Sequence, residues 1–259
     1  MDLRGKVAIV TGSGGRGSGR ATARRLAHDG ASIVVSDINE QGGLDTVRLI
    51  SEAGGRASFI RADVGHEKDV RKLVEFAEAT YGGLDVMVNN AGSYYHKVLE
   101  FWTETMECNL MGVLYGTLQA VEAMRRRNSG AIVNFGSTSA LGFGPANSPA
   151  YDAAKAAVVR LTGGLACLRE QYGIRVNCLV PHWIGTEEML AIVKGMSAED
   201  RRQRKVPDVL LTPEEIADAV VQLATNEQLA GRVMICWGGQ PRRLLPYSDP
   251  GYASLETAS

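Results

Sequence analysis

Cysteine is scarce in this chain of 259 residues, and Cys108, Cys167, Cys178 and Cys236 stand far apart with no CxxC pair and no Cys/His spacing of a metal site. That excludes a disulfide-stapled fold and a sequence-encoded metal centre, so all four read as reduced core residues. An excess of one charge is also missing: 28 Lys and Arg face 29 Asp and Glu, for a net charge of −1 and a pI near 6.4. No broad field draws nucleic acid or anionic lipid, and a small-molecule partner is expected. Long apolar runs are absent too, none approaching the roughly 20 residues of a membrane span. The chain enters a strand pattern at Lys6 to Val10 without a basic, then apolar, leader. A cytoplasmic address is the expectation.

What the chain does have is alternation. Short β-rich apolar runs recur at Val7 to Val10, Ser32 to Ser36, Ala57 to Ile60, Asp85 to Val88, Ala131 to Phe135, Arg175 to Val180 and Arg232 to Cys236. Between them lie stretches of helical period, among them Arg20 to His28, Glu67 to Thr80, Thr103 to Arg127 and Ala153 to Glu170. Strands that are apolar throughout belong to a parallel sheet covered on both faces, which right-handed crossovers wind into a Rossmann-type α/β architecture. The expectation is a single doubly wound domain over residues 1–239, its seven-stranded parallel sheet flanked by helices, with a surface tail over 240–259. Ligands of such sheets sit outside the carboxyl ends of the strands, so the segments after each strand carry the chemistry.

The first of these, Thr11 to Gly19, reads Thr-Gly-Ser-Gly-Gly-Arg-Gly-Ser-Gly and opens a helix, the setting a dinucleotide-binding turn needs. Gly12, Gly17 and Gly19 let the backbone approach a pyrophosphate, and the unpaired N–H groups at the helix start, by Ser18, attract it. Asp37 ends the second strand, where it reads either as an acceptor for both adenosine ribose hydroxyls or as a helix N-cap. A 2′-phosphate would meet like charge there: at about 5 Å and an effective dielectric near 20 the repulsion is roughly 3 kcal/mol per charge pair. Arg16, in the turn, is the residue that would offset it. NAD is therefore expected, with NADP less favoured.

Tyr151 and Lys155 are four residues apart in a helical stretch, Tyr-Asp-Ala-Ala-Lys, downstream of Ser137. A phenol is a poor acid or base at neutral pH, and an ammonium one turn away favours the phenolate. Lowering the phenol by about three units takes roughly 4 kcal/mol, to be supplied by Lys155 and a positive nicotinamide. With the glycine turn, Asn89-Asn90-Ala91-Gly92 and this run in place, the chain resembles the short-chain dehydrogenase/reductase family from about Lys6 to Gly239. The resemblance implies catalytic Asn109, Ser137, Tyr151 and Lys155, adenine contacts at Asp63 and Val64, and a cofactor wall at Asn90, Ala91 and Gly92. It also places Pro181, Ile184 and Thr186 at the carboxamide end of the coenzyme. Asn109, helix-unfriendly inside a helical stretch, is suited to hold a water for Lys155 by distorting the backbone.

Several departures from the family pattern mark this chain. Its glycine turn is one residue longer than Thr-Gly-x-x-x-Gly-x-Gly, and the Ser137 to Tyr151 interval is also about one residue long, so that Ser139 competes with Ser137. His182 follows Pro181 where glycine is common, and the Gly92 to Asn109 stretch is short. Tyr94, Tyr95, His96, Leu141, Phe143, His182, Trp183 and Met189 read as a bulky, largely apolar substrate pocket or as ordinary packing. The basic run Arg201 to Lys205 reads as a solvated flap or as bait for an acidic substrate. The leading function is an NAD-dependent oxidoreductase acting on a secondary alcohol or ketone, bulky or aromatic, and assembled as a homotetramer. The alternatives are an NADPH-dependent carbonyl or 3-oxoacyl reductase, and a non-catalytic dinucleotide sensor or scaffold.

Overall fold

The structure, a computed structural model, describes residues 1–94, 100–142 and 148–246. In chain order the elements are β1 (Val7–Thr11), α1 (Ser18–His28), β2 (Ser32–Asp37), α2 (Glu40–Glu52), β3 (Arg56–Arg61), α3 (Glu67–Tyr81) and β4 (Val86–Asn89). There follow α4 (Trp102–Met106), a π-helical turn (Glu107–Met111), α5 (Gly112–Arg125), β5 (Gly130–Phe135), α6 (Pro149–Gly164), α7 (Leu168–Tyr172) and β6 (Ile174–Pro181). The last are α8 (Glu187–Gly195), α9 (Ala198–Gln203), α10 (Pro213–Thr225), β7 (Val233–Cys236) and β8 (Arg243–Leu244).

The strands form one sheet in the order β3-β2-β1-β4-β5-β6-β7-β8, parallel through β7. Successive side chains of a strand point to opposite faces, and the core divides accordingly. Ala8 and Val10 pack with Leu26 of α1 and Val220 of α10, whereas Val7 and Ile9 pack with Leu73 of α3 and Met124 of α5. The chain runs from β1 outward to β2 and β3, then crosses back to β4 on the other side of β1. That reversal opens the crevice in which ligands of doubly wound sheets bind.

Four elements differ from the sequence expectation. An eighth strand, β8, pairs antiparallel with β7 through Met234 opposite Leu244, using residues that read as tail. Two exposed residues carry no periodicity to find. The stretch Thr103 to Arg127 is two α-helices joined by the π turn, and Ala153 to Glu170 is α6 and α7, broken after Gly163-Gly164, where glycine raises the entropic cost of a helix. Helix α2 went unread because Gly42 and Gly43 sit inside it; a Cβ on Gly43 would lie 2.1 Å from the Phe59 ring, so glycine there serves packing. Among the described residues, no helix is long and apolar enough to cross a membrane.

Candidate active site

At the carboxyl ends of β1 and β4 the glycine turn is tied to the Asn-Asn-Ala-Gly segment. Gly12 adopts φ +66, and a Cβ there would lie 2.7 Å from Ala91 Cα. Asn90 Nδ2 donates to Thr11 O at 2.8 Å and Gly12 O at 3.1 Å, while its Oδ1 accepts from the Ser18 hydroxyl at 2.8 Å. Gly17 caps α1 with no side-chain acceptor, and a Cβ on Gly19 would lie 2.1 Å from Gly12 O. The result is a glycine cradle at the positive end of α1, shaped for a phosphate.

Asp37 is not the α2 cap; that is Asn39, whose Oδ1 accepts from Gly42 N–H at 3.0 Å. The Asp37 carboxylate accepts instead from Gly14 N–H at 2.7 Å and Asn39 N–H at 2.9 Å. Arg16 points away from it, pairing with Glu187 at the start of α8 at 3.1 Å in an exposed contact of little energetic worth. Asp63 accepts from Gly65 N–H at 2.9 Å, and Val64 beside it is buried. Pro181 is buried at the end of β6, and Ile184 bridges to Leu211. Thr186 caps α8 through Met189 N–H at 3.2 Å and lies close to the turn, its methyl 3.1 Å from where a Gly17 Cβ would be.

The proton-handling groups converge from three places in the fold, α6, the end of β5 and the π turn. Lys155, on α6, is buried and its Nζ donates to Phe135 O at the end of β5, at 2.9 Å, while lying 5.5 Å from the Tyr151 ring centroid. Ser137 follows β5; its Oγ accepts from Ser139 N–H at 3.2 Å, and the Ser137 side chain favours ionisation of the Tyr151 phenol, whereas Ser139 joins the group through its amide. Asn109 is wholly buried in the π turn, with Nδ2 donating to Ser93 O at 2.8 Å and Thr105 O at 3.0 Å. Its Oδ1 has no partner among the described residues, and this oxygen and Lys155 Nζ lie 2.9 and 3.6 Å from the position of a Gly92 Cβ. Gly92 thus leaves a gap between an orphan acceptor and an ammonium, which suits a water.

Without coenzyme, burial dominates the ionisation of both groups. Burial pushes the Tyr151 phenol up to about 12, with the Ser137 hydroxyl pulling the other way, and burial brings Lys155 down to about 8. Desolvation, which residue spacing does not reveal, outweighs the i, i+4 attraction within the polypeptide.

Around this centre, Tyr94 packs edge-on against Tyr151 with ring centroids 4.8 Å apart, and Leu141 and Leu190 are exposed nearby in sequence to the site segments. His182 donates its backbone N–H to Cys236 O at 2.9 Å; its Nδ1 is buried with no partner among the described residues, and desolvation lowers its pKa. Trp183 accepts from Leu211 N–H at 2.9 Å, and Met189 is half-buried on α8. Tyr95, His96 and Phe143 lie outside the described residues. In the basic run, Arg201 donates to Val193 O and Arg202 pairs with Glu199.

Comparison with known proteins follows the same lines. A family model described as short chain dehydrogenase matches residues 6–196. The chain is 38% identical over 246 residues to the cis-4-hydroxycyclohexanecarboxylate dehydrogenase of Sinomonas cyclohexanicum, covering 90% of this chain and 96% of that one. A gluconate 5-dehydrogenase from Burkholderia cenocepacia, solved with NADP and tartrate, superposes with a TM-score of 0.81 at 31% identity, covering 92% and 96% of the two chains. A 7 alpha-hydroxysteroid dehydrogenase, solved with NADH and 7-oxo glycochenodeoxycholic acid, superposes with a TM-score of 0.80 at 28% identity over 92% and 96%.

The Lys155 pKa has a consequence for stability. An amine at about 8 when folded, against 10.5 as its ordinary value, leaves the unfolded chain holding more protons between those values. Stability therefore rises with pH through that window, and the cost is full below it. Tyr151, held above its ordinary value of 10, acts in the opposite sense only at higher pH. Urea unfolding should show the natural chain gaining about 2 kcal/mol more than Lys155→Met between about pH 7.5 and 9.5. Parallel curves would contradict the buried ammonium.

Proposed function

The chain belongs to the short-chain dehydrogenase/reductase family, and from that premise we propose that it is an NAD-dependent oxidoreductase moving a hydride between a nicotinamide coenzyme and a secondary alcohol or its ketone. The observation that carries the reading is the convergence of Tyr151, Lys155, Ser137 and Asn109 beside a glycine cradle. Binding a dinucleotide without turnover needs no such proton path, which weighs against a sensor or scaffold.

The coenzyme supplies the hydride acceptor or donor at its nicotinamide ring and, when oxidised, a positive charge. The turn from Gly12 to Gly19 binds the pyrophosphate, Asp37 the ribose hydroxyls, Asp63 and Val64 the adenine, and Asn90, Ala91, Gly92, Pro181, Ile184 and Thr186 wall the site. In oxidation Tyr151 Oη takes the alcohol proton, and in reduction it returns one to the ketone oxygen, as a positioned general base or acid. Ser137 Oγ hydrogen-bonds the substrate oxygen and holds it to the phenol. Lys155 stabilises the phenolate, and Asn109 Oδ1 holds a water that exchanges its proton.

Coenzyme choice follows from charge. Asp37 opposes a 2′-phosphate, and Arg16 is engaged with Glu187. The NADP held by the gluconate dehydrogenase favours the second reading, an NADPH-dependent carbonyl or 3-oxoacyl reductase. A bulky ring alcohol is the proposed substrate class, in a pocket lined by Tyr94, Leu141, His182, Trp183 and Met189, with Ser139 at its edge. Relatives named for a hydroxycyclohexane acid and a hydroxysteroid support it.

Tyr151→Phe should lose at least about a thousandfold in kcat while fluorescence titration shows NAD bound as in the natural protein and tighter than NADP. An active Tyr151→Phe refutes the mechanism, and tighter NADP binding selects the second reading. A cytoplasmic location and a homotetramer complete the proposal; exposed Leu118 on α5 gives that helix an apolar contact. Light scattering should return four chain masses, and a monomer mass would remove the assembly.

A further inference from the structure

The lengthened glycine turn has to be accommodated, and the place is α2. Arg20, one residue past the turn, donates Nε–H to Thr46 Oγ1 at 2.9 Å and Nη2–H to both Gly14 O at 2.9 Å and Gly42 O at 3.0 Å. The buried Thr46 hydroxyl in turn lies 2.7 Å from Ser13 O as donor. From the other side, Gly14 N–H donates to Asp37 Oδ2 at 2.7 Å. The backbone polar groups of Ser13 and Gly14 are thus held from outside the turn, three of them by Arg20, Thr46 and Asp37. The fit is close: a Cβ on Gly42 would lie 2.2 Å from Gly14 O, and one on Gly14 would lie 2.9 Å from Asp37 Cγ. A helix-interior glycine is unfavourable unless a neighbour requires it, and here the Gly14 carbonyl stands where a Gly42 side chain would begin.

We propose that Arg20, acting with Thr46 and Gly42, is a positioning residue for the coenzyme: it pins the surplus residue of the turn onto α2 and, through the Gly14 to Asp37 bond, orients the carboxylate that selects NAD. The inference rests on the dinucleotide reading of the turn. Arg20 touches no reacting atom; its guanidinium is spent on the Gly14 and Gly42 carbonyls and the Thr46 hydroxyl. Only a planar fork spans three such acceptors at once, so lysine does not replace it. Its effect is to keep a long loop in one shape before the coenzyme arrives, which removes an ordering cost from binding.

The test uses the full chain with Arg20→Met, Arg20→Lys and Thr46→Val. Calorimetric titration should show the Kd for NAD raised about tenfold in Arg20→Met and Arg20→Lys, as expected for loss of a charge-assisted hydrogen-bond set, with the preference over NADP narrowed. The coenzyme KM should rise while kcat at saturating coenzyme and the substrate KM hold. Thr46→Val should reproduce the effect and add little to Arg20→Met, since both break one clamp, and it carries the test if Arg20→Met fails to fold. An unchanged Kd and an unchanged NAD-to-NADP preference would overturn the proposal. So would a lowered melting temperature with ordinary coenzyme affinity, the mark of a merely structural arginine. A natural protein that binds neither dinucleotide would overturn the reading of the turn, and this inference with it.

Discussion

The desolvation of one ammonium organises the site. Lys155 is 3% exposed, with Phe135 O as its hydrogen-bond acceptor. A charge removed from water is costly unless polar groups replace the solvent, and the polypeptide replaces it only in part. The surrounding sequence follows from that need. The end of β5 offers a carbonyl, the π turn turns Asn109 inward, and Gly92 keeps the space between them open. Tyr151, one helical turn before Lys155, is half-buried, and desolvation holds it as a neutral phenol. The family's acid-base pair is therefore assembled in a form that a positive coenzyme ring would relieve, so that charge on the coenzyme and ionisation of the phenol are coupled.

The second constraint is topological. Because β1 lies between β2 and β4, the glycine turn and the Asn90 segment meet at the reversal of strand order, and Asn90 ties them together. The coenzyme's proposed path runs from Asp37, at the end of β2, across the turn to the ends of β4, β5 and β6. Apart from Tyr151 and Lys155 on α6, the proposed contact residues follow the ends of parallel strands, because only there do loops from both halves of the sheet reach one crevice. The loops beyond these ends carry the proposed substrate preference, His182 among them, whose ring Nδ1 has no partner among the described residues.

Much of this was legible in the sequence. Six of the seven strands could be read because parallel strands buried on both faces leave continuous apolar runs, the edge strand β3 being partly exposed, and the motifs stand at their carboxyl ends. The distortion at Asn109 could also be anticipated, since an asparagine in mid-helix competes for backbone groups, and the structure has a π turn there. What escaped the reading depends on contacts between distant segments. Helix α2 was hidden by glycines whose reason is Gly14 and the Phe59 ring, and Arg20 looked like any exposed helical arginine. The burial that holds the Tyr151 phenol up without coenzyme also went unread, because spacing reveals a neighbouring charge but not how much water has been removed.

In the proposed mechanism Tyr151 is a neutral phenol that becomes acidic only when a positive nicotinamide joins Lys155 beside it. Its most direct test is the tyrosinate absorbance of the natural protein minus that of Tyr151→Phe, followed against pH with and without NAD. The account predicts no Tyr151 ionisation below about pH 10 without coenzyme and a titration moved toward neutrality when NAD is bound. A phenol that titrates near neutrality without coenzyme, or one that NAD leaves unmoved, would contradict it.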